Sequence, residues 1–71
     1  MNTKILYNLG AKIKTKRKEA CLTQEMLAEK VGIHPTYVGK LESGKNNPSV
    51  MLMYKISRAL NISLKDLFDF E

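Results

Sequence analysis

Seventy-one residues suffice for one domain, near the small end of what folds without help. With 44% apolar residues the chain can build a compact core, while one cysteine and one histidine exclude a disulfide framework and leave no credible metal site. No apolar run reaches the length of a membrane span or a signal-peptide core, so the expectation is a single cytoplasmic domain over 1–71 that needs no cofactor.

The formal charge of +5 points to a polyanionic partner, although lysine-rich soluble proteins share that property. Its distribution is more telling than its total. Lys4, Lys12, Lys14, Lys16, Arg17 and Lys18 crowd the first twenty residues against Glu19 alone, and the rest of the chain balances. The excess therefore sits on the first predicted element.

That element is a helix capped at Asn2 or Thr3 and running to about Ala20. At roughly 100° per residue, Ile5, Leu6, Leu9, Ile13 and Ala20 fall on one stripe. Lys4, Lys14 and Lys18 point away from it. Arg17 lies at its margin, placed for partial burial. Gly10 inside the helix costs roughly 1 kcal/mol against alanine, which a close helix contact would justify. Cys21 follows in the turn toward the second helix. Leu22 is placed to staple the next helix.

Thr23 caps a second helix built from strong helix formers, with Leu27, Ala28 and Val31 on its inner face. Gly32 permits a sharp turn. Pro35 fits only a first helical turn, which makes His34 the cap of a third helix ending near Glu42. Val38 and Leu41 turn inward. Thr36, Gly39, Lys40 and Ser43 occupy the opposite face, with Tyr37 and Glu42 on the flanks. Ser43 to Pro48 is a loop with Gly44 as the helix stop. Ser49 caps a fourth helix to about Leu60, with Val50, Leu52, Met53, Ile56, Ala59 and Leu60 as its stripe. Asn61 and Ile62 turn the chain. Ser63 and Asp66 form a capping box for a short fifth helix carrying Leu64, Leu67 and Phe68. The fold expected is all-α, a compact five-helix bundle with no β-pattern.

Residues 23–42 form a helix-turn-helix, a unit whose first helix crosses a DNA backbone while the second enters the major groove. Leu9, Gly10, Ile13 and Arg17, then Leu22, Thr23, Gln24, Leu27 and Ala28, carry an ordered pattern. It continues through Val31, Gly32, Tyr37, Val38, Leu41 to Lys45 and Pro48, and closes with Ala59 to Ile62, Leu67 and Phe68. Over about residues 6–68 this closely resembles the phage-repressor and Cro-like family, the xenobiotic-response-element type. The resemblance implies a lambda-repressor-like fold that reads double-stranded DNA with helices two and three, usually as a homodimer on a palindromic operator.

Carried over by position, Gln24 holds a phosphate at a helix N-terminus, where the free N–H groups and dipole favour an anion; otherwise it is an ordinary first-turn polar residue. Thr36 and Lys40 are base-contact candidates one turn apart, the lysine suited to guanine O6 and N7 and the threonine methyl to thymine. Pro35 offers base edges only apolar contact. Tyr37 contacts phosphate or packs on the helix flank, and His34 is a cap more than a reader. Lys45 and Asn46, with Asn47, resemble a second phosphate clamp. Arg17 and Glu42 are the structural ion pair the resemblance implies. Gly39 stands where the family uses a small polar residue, either for close phosphate approach or as tolerated drift. Cys21 stands where the family usually has glycine, which implies a left-handed backbone there and a strained, half-buried thiol. Lys12 and Lys16 are candidates for long-range attraction to the duplex.

Leu64, Leu67, Phe68 and Phe70 exceed what so small a core needs, which makes Leu67, Phe68 and Phe70 dimer-interface candidates; the equal alternative for Leu64, Leu67 and Phe68 is that they pack internally. The chain thus reads as a sequence-specific transcriptional regulator, a repressor of Cro-like or restriction–modification-controller type. Activation through contact with RNA polymerase is a further outcome in that family. The alternative is an antitoxin-type module whose protein partner is a toxin. One histidine, one cysteine and no paired carboxylates provide no catalytic constellation.

Overall fold

The computed structural model describes residues 3–70, which form five α-helices: α1 Thr3–Glu19, α2 Gln24–Val31, α3 Pro35–Glu42, α4 Val50–Ala59 and α5 Leu64–Leu67. The cap expected at Asn2 lies outside the described residues, and Thr3 is already helical. No strand occurs among the described residues.

Each turn has a local cause. Cys21 takes φ 60 and Gly32 φ 84, so α1 and α2 both end in a left-handed residue. Ser43 and Gly44, the latter at φ 78, end α3. Thr23, Ser49 and Ser63 each accept the backbone N–H three residues on, at 3.0, 3.1 and 3.0 Å. His34 caps α3 differently: its Nδ1 accepts the Thr36 N–H at 3.1 Å, with Pro35 as first helical residue. Such caps matter because helices of four to ten residues are not stable alone.

The core draws on every helix: Leu9 and Ile13, Leu27 and Ala28, Val38 and Leu41, Met53, Ile56 and Leu60, and Leu67. Leu22, Val31 and Ile62 pack against it from the turns and helix ends. Four expected stripe residues lie outside it, among them the half-buried Leu6. Ile5 is 48% and Val50 75% exposed, and Ala20 is exposed in the turn after α1. A helix of 17 residues spans roughly 25 Å, longer than the core it crosses, so the ends of its stripe overhang. Val50 is the first residue of α4, ahead of the turn that meets the core. Cys21 is exposed rather than half-buried, because Leu22 takes the inward position. Ser57 is an addition to the expected interior. It is 1% exposed, and its hydroxyl donates to the Tyr54 carbonyl at 2.7 Å, so a polar residue sits on the buried face of α4 without an unmet hydrogen bond.

Gly10 sets the approach of α1 to α3. A Cβ there would lie 2.2 Å from the Leu41 carbonyl oxygen and 2.7 Å from that of Glu42. The missing side chain lets α1 rest directly on the C-terminal backbone of α3, the close helix contact that a glycine inside α1 implies. Gly10→Ala must separate the two helices and should cost about 1–3 kcal/mol by overpacking. Thermal melting checks this: a fall of roughly 4–8 °C per kcal/mol is expected for a domain of this size, and an unchanged midpoint would show that the contact yields freely.

Candidate nucleic-acid interface

The two helices of the motif are locked to each other and to α1 by one buried polar cluster. Arg17 and Glu42 are only 7% and 8% exposed. The Arg17 Nε donates to Glu42 Oε2 at 2.6 Å and its second terminal nitrogen to Oε1 at 3.2 Å, a bidentate fork. The remaining terminal nitrogen donates to the Leu22 carbonyl at 2.6 Å, across the turn into α2. Gln24 Nε2 donates to Glu42 Oε1 at 3.1 Å. One carboxylate at the end of α3 therefore holds α1, and through Gln24 the start of α2. Helical phase alone puts Arg17 at the margin of its stripe; the structure puts it inside, paired with Glu42.

Gln24 thus has a task that sequence reasoning missed. Its side chain is half-buried and turned toward Glu42. An amide nitrogen carries two N–H groups, and one of them is committed to the carboxylate. Neither propensity nor periodicity signals the Glu42 contact, because it depends on how α2 crosses α3.

With Val38 and Leu41 buried at 0% and 3%, the other side of α3 must face outward. Thr36 and Lys40 are exposed there, and Pro35 and Gly39 partly so. Lys45 is exposed and Asn46 half-buried in the following loop, with Asn47 exposed. Gln24 borders the outward side of α3 next to Gly39. Tyr37, on the flank of α3, is half-buried and packs its side chain against the core. A Cβ on Gly39 would meet only the Gln24 amide, at 3.8–3.9 Å, an ordinary contact distance. Nothing in the packing of the chain itself demands glycine at this position.

Two groups of candidates need correction. Leu67 is completely buried and cannot contribute to a dimer surface without leaving the core. Phe70 is half-buried against that core, and Phe68, at 44% exposed, is the outward member of the three. Among the lysines of α1, Lys12 donates to the Asp69 carbonyl at 3.0 Å, and Lys16 pairs with Glu19 at 3.3 Å. Both are engaged with the chain's own acceptors, which reduces their claim as a duplex attractor.

Removing one partner of a buried ion pair leaves an uncompensated charge, at a cost of about 3–5 kcal/mol. A domain this small has a total stability of only about 4–11 kcal/mol. Glu42→Ala is therefore expected to lower the melting midpoint by more than about 12 °C and to weaken DNA binding with it. An unchanged midpoint would remove the pair from this role. Gly39→Ala should do the opposite for stability, gaining roughly 1 kcal/mol from helix propensity. If it melts later but binds DNA more weakly, Gly39 serves close approach to the duplex; unchanged binding marks it as dispensable.

A helix-turn-helix family profile matches residues 13–67, most of the chain. An HTH-type transcriptional regulator of Archaeoglobus fulgidus is 45% identical over 63 residues, covering 89% of this chain and 90% of that protein. The solved restriction–modification controller protein C.AhdI from Aeromonas hydrophila superposes with a TM-score of 0.85 at 34% identity, over 87% of this chain and 94% of that one. The biofilm regulator SinR, solved in complex with DNA, superposes with a TM-score of 0.81 at 35% identity, over 86% and 98% of the two chains. The α2–turn–α3 unit, the outward face of α3 and these likenesses together establish that the chain belongs to the helix-turn-helix family of DNA-binding transcriptional regulators.

Proposed function

We propose that residues 1–71 act as one sequence-specific reader of double-stranded DNA, working as a homodimer on a palindromic operator and repressing the promoter it covers. The observation that carries this is the clamp on α3. Arg17 and Gln24 both converge on Glu42, so the helix presents Thr36 and Lys40 outward in a fixed orientation.

In this reading Lys40 donates to a guanine edge, the Thr36 methyl meets a thymine methyl, and Pro35 adds apolar contact. Gln24 and the unused backbone N–H groups at the start of α2 take one phosphate. Lys45 and Asn46 take another, and the Tyr37 hydroxyl supplements them from the flank of α3. Likeness to a regulator solved with DNA supports the groove-reading mode. Likeness to a restriction–modification controller supports a regulatory role. Two copies paired through the exposed Phe68 and its neighbour Phe70 would set reading helices about 34 Å apart, one duplex turn. Binding, rather than catalysis, is the work assigned to the domain, in the cytoplasm.

Selection from random duplexes tests this directly. A palindromic consensus is expected, and Lys40→Ala should relax preference at one symmetric position while costing about 1–3 kcal/mol. Equal affinity for all sequences, or no binding at low salt, overturns the proposal.

A further inference from the structure

Away from α3, the packing of α2 on α4 leaves an open groove of about 580 Å³ lined by Lys30, Val31, Tyr54, Lys55, Arg58 and Ala59. None of these residues belongs to α3 or to the loop after it. Val31 and Ala59 are half-buried and form an apolar floor; Lys30, Lys55 and Arg58 are exposed around it. No acid lines the groove, and neither of the ion pairs among the described residues, Lys16–Glu19 and Arg17–Glu42, neutralises any of the three cations.

The outward face of α4 continues the groove. Helical phase places Met51, Tyr54, Lys55 and Arg58 on one side with Val50 at its edge. Val50, Met51 and Tyr54 are 75%, 62% and 48% exposed, an apolar run that ends in two cations. Arg58 also borders a second hollow with Asn61, Ile62, Ser63 and Asp66, so the depression extends toward α5. Exposed apolar side chains gathered beside unpaired cations mark an interaction surface rather than a merely solvated face.

We propose that this α2–α4 surface docks an acidic peptide segment of a partner protein, one that carries apolar side chains among its carboxylates. The carboxylates answer Lys30, Lys55 and Arg58. The apolar side chains cover Val31, Ala59, Tyr54 and Met51. A nucleic-acid backbone fits the surface less well, because phosphates and sugars leave the apolar floor and the Val50–Met51 run uncovered. None of the groove's lining residues is among those proposed to read the duplex.

The test uses the whole 71-residue chain, isotope-labelled, titrated by NMR at ~0.15 M salt. The probe is a short synthetic peptide alternating glutamate with leucine and phenylalanine; control peptides replace glutamate with lysine, or the apolar residues with serine. Saturable shifts are expected in the amides of Lys30, Val31, Tyr54, Lys55, Arg58 and Ala59. Affinity should fall about tenfold in a Lys55→Gln/Arg58→Gln variant and severalfold for the serine peptide, as desolvated charge pairs and apolar cover are lost. Both substituted residues are exposed, and an unchanged melting curve confirms that the variant folds. Duplex affinity should stay the same. Shifts centred on Thr36 to Asn46, equal binding of the lysine peptide, no saturation, or undiminished binding by the double variant overturns the proposal. So does a loss of duplex affinity matching the loss of peptide affinity, which would assign the surface to the DNA footprint. Absence of duplex binding by the unaltered chain would instead count against the reader proposal alone.

Discussion

The Arg17–Glu42 pair is the constraint on which the rest of the molecule turns. Burying two charges costs several kcal/mol per ion, and that cost is offset only where the geometry is good and the remaining donors find partners. Here they do. Arg17 spends its Nε and both terminal nitrogens on Glu42 and the Leu22 carbonyl, and Gln24 adds a further donor to the same carboxylate. Among the described residues no buried side-chain nitrogen or oxygen lacks a hydrogen-bond partner. Apolar burial is non-directional and would tolerate many orientations of an eight-residue helix. A fork of charged hydrogen bonds tolerates few. It therefore fixes which side of α3 faces outward, whereas the apolar core supplies most of the stabilisation.

Gly10 serves the same end from the other direction. By bringing the backbone of α1 onto the carbonyls of Leu41 and Glu42, it sets the separation at which Arg17, two turns further along α1, can reach the carboxylate. The caps at Thr23, His34, Ser49 and Ser63 then hold short helices that could not persist alone. Close approach, ion pair and caps are three local devices with one consequence. They present a rigid two-helix unit from very little protein.

Charge is divided among surfaces rather than concentrated on the reader. α3 and its loop offer only Lys40 and Lys45. On α1, Lys12 and Lys16 are occupied by Asp69 and Glu19. The cations of Lys30, Lys55 and Arg58 gather instead beside exposed apolar residues of α4. A net charge of +5 is thus a poor guide to where this chain meets its partners. The placement of each cation, and what stands beside it, carries the information.

The sequence by itself determined what depends on neighbours along the chain. The five helices, the Thr23, His34, Ser49 and Ser63 caps, the stop at Gly32 and the inward set Leu9, Ile13, Leu27, Val38, Leu41, Met53 and Ile56 all follow from local propensity and period, while the left-handed turn at Cys21 is implied by the family resemblance. The resemblance of residues 6–68 to a known family supplied the Arg17–Glu42 pairing and the role of the motif. Only the tertiary structure decided what depends on how helices cross. It placed Gln24 on Glu42, drew Arg17 fully inside, buried Ser57 and Leu67, and left Ile5, Ala20 and Val50 outside. It also brought Lys30 of α2 beside Lys55 and Arg58 of α4, residues at least twenty-five positions apart in the chain. Periodicity says which residues share a face, but a face is longer than the core it covers. Where each helix enters and leaves that core is set by packing against partners distant in sequence.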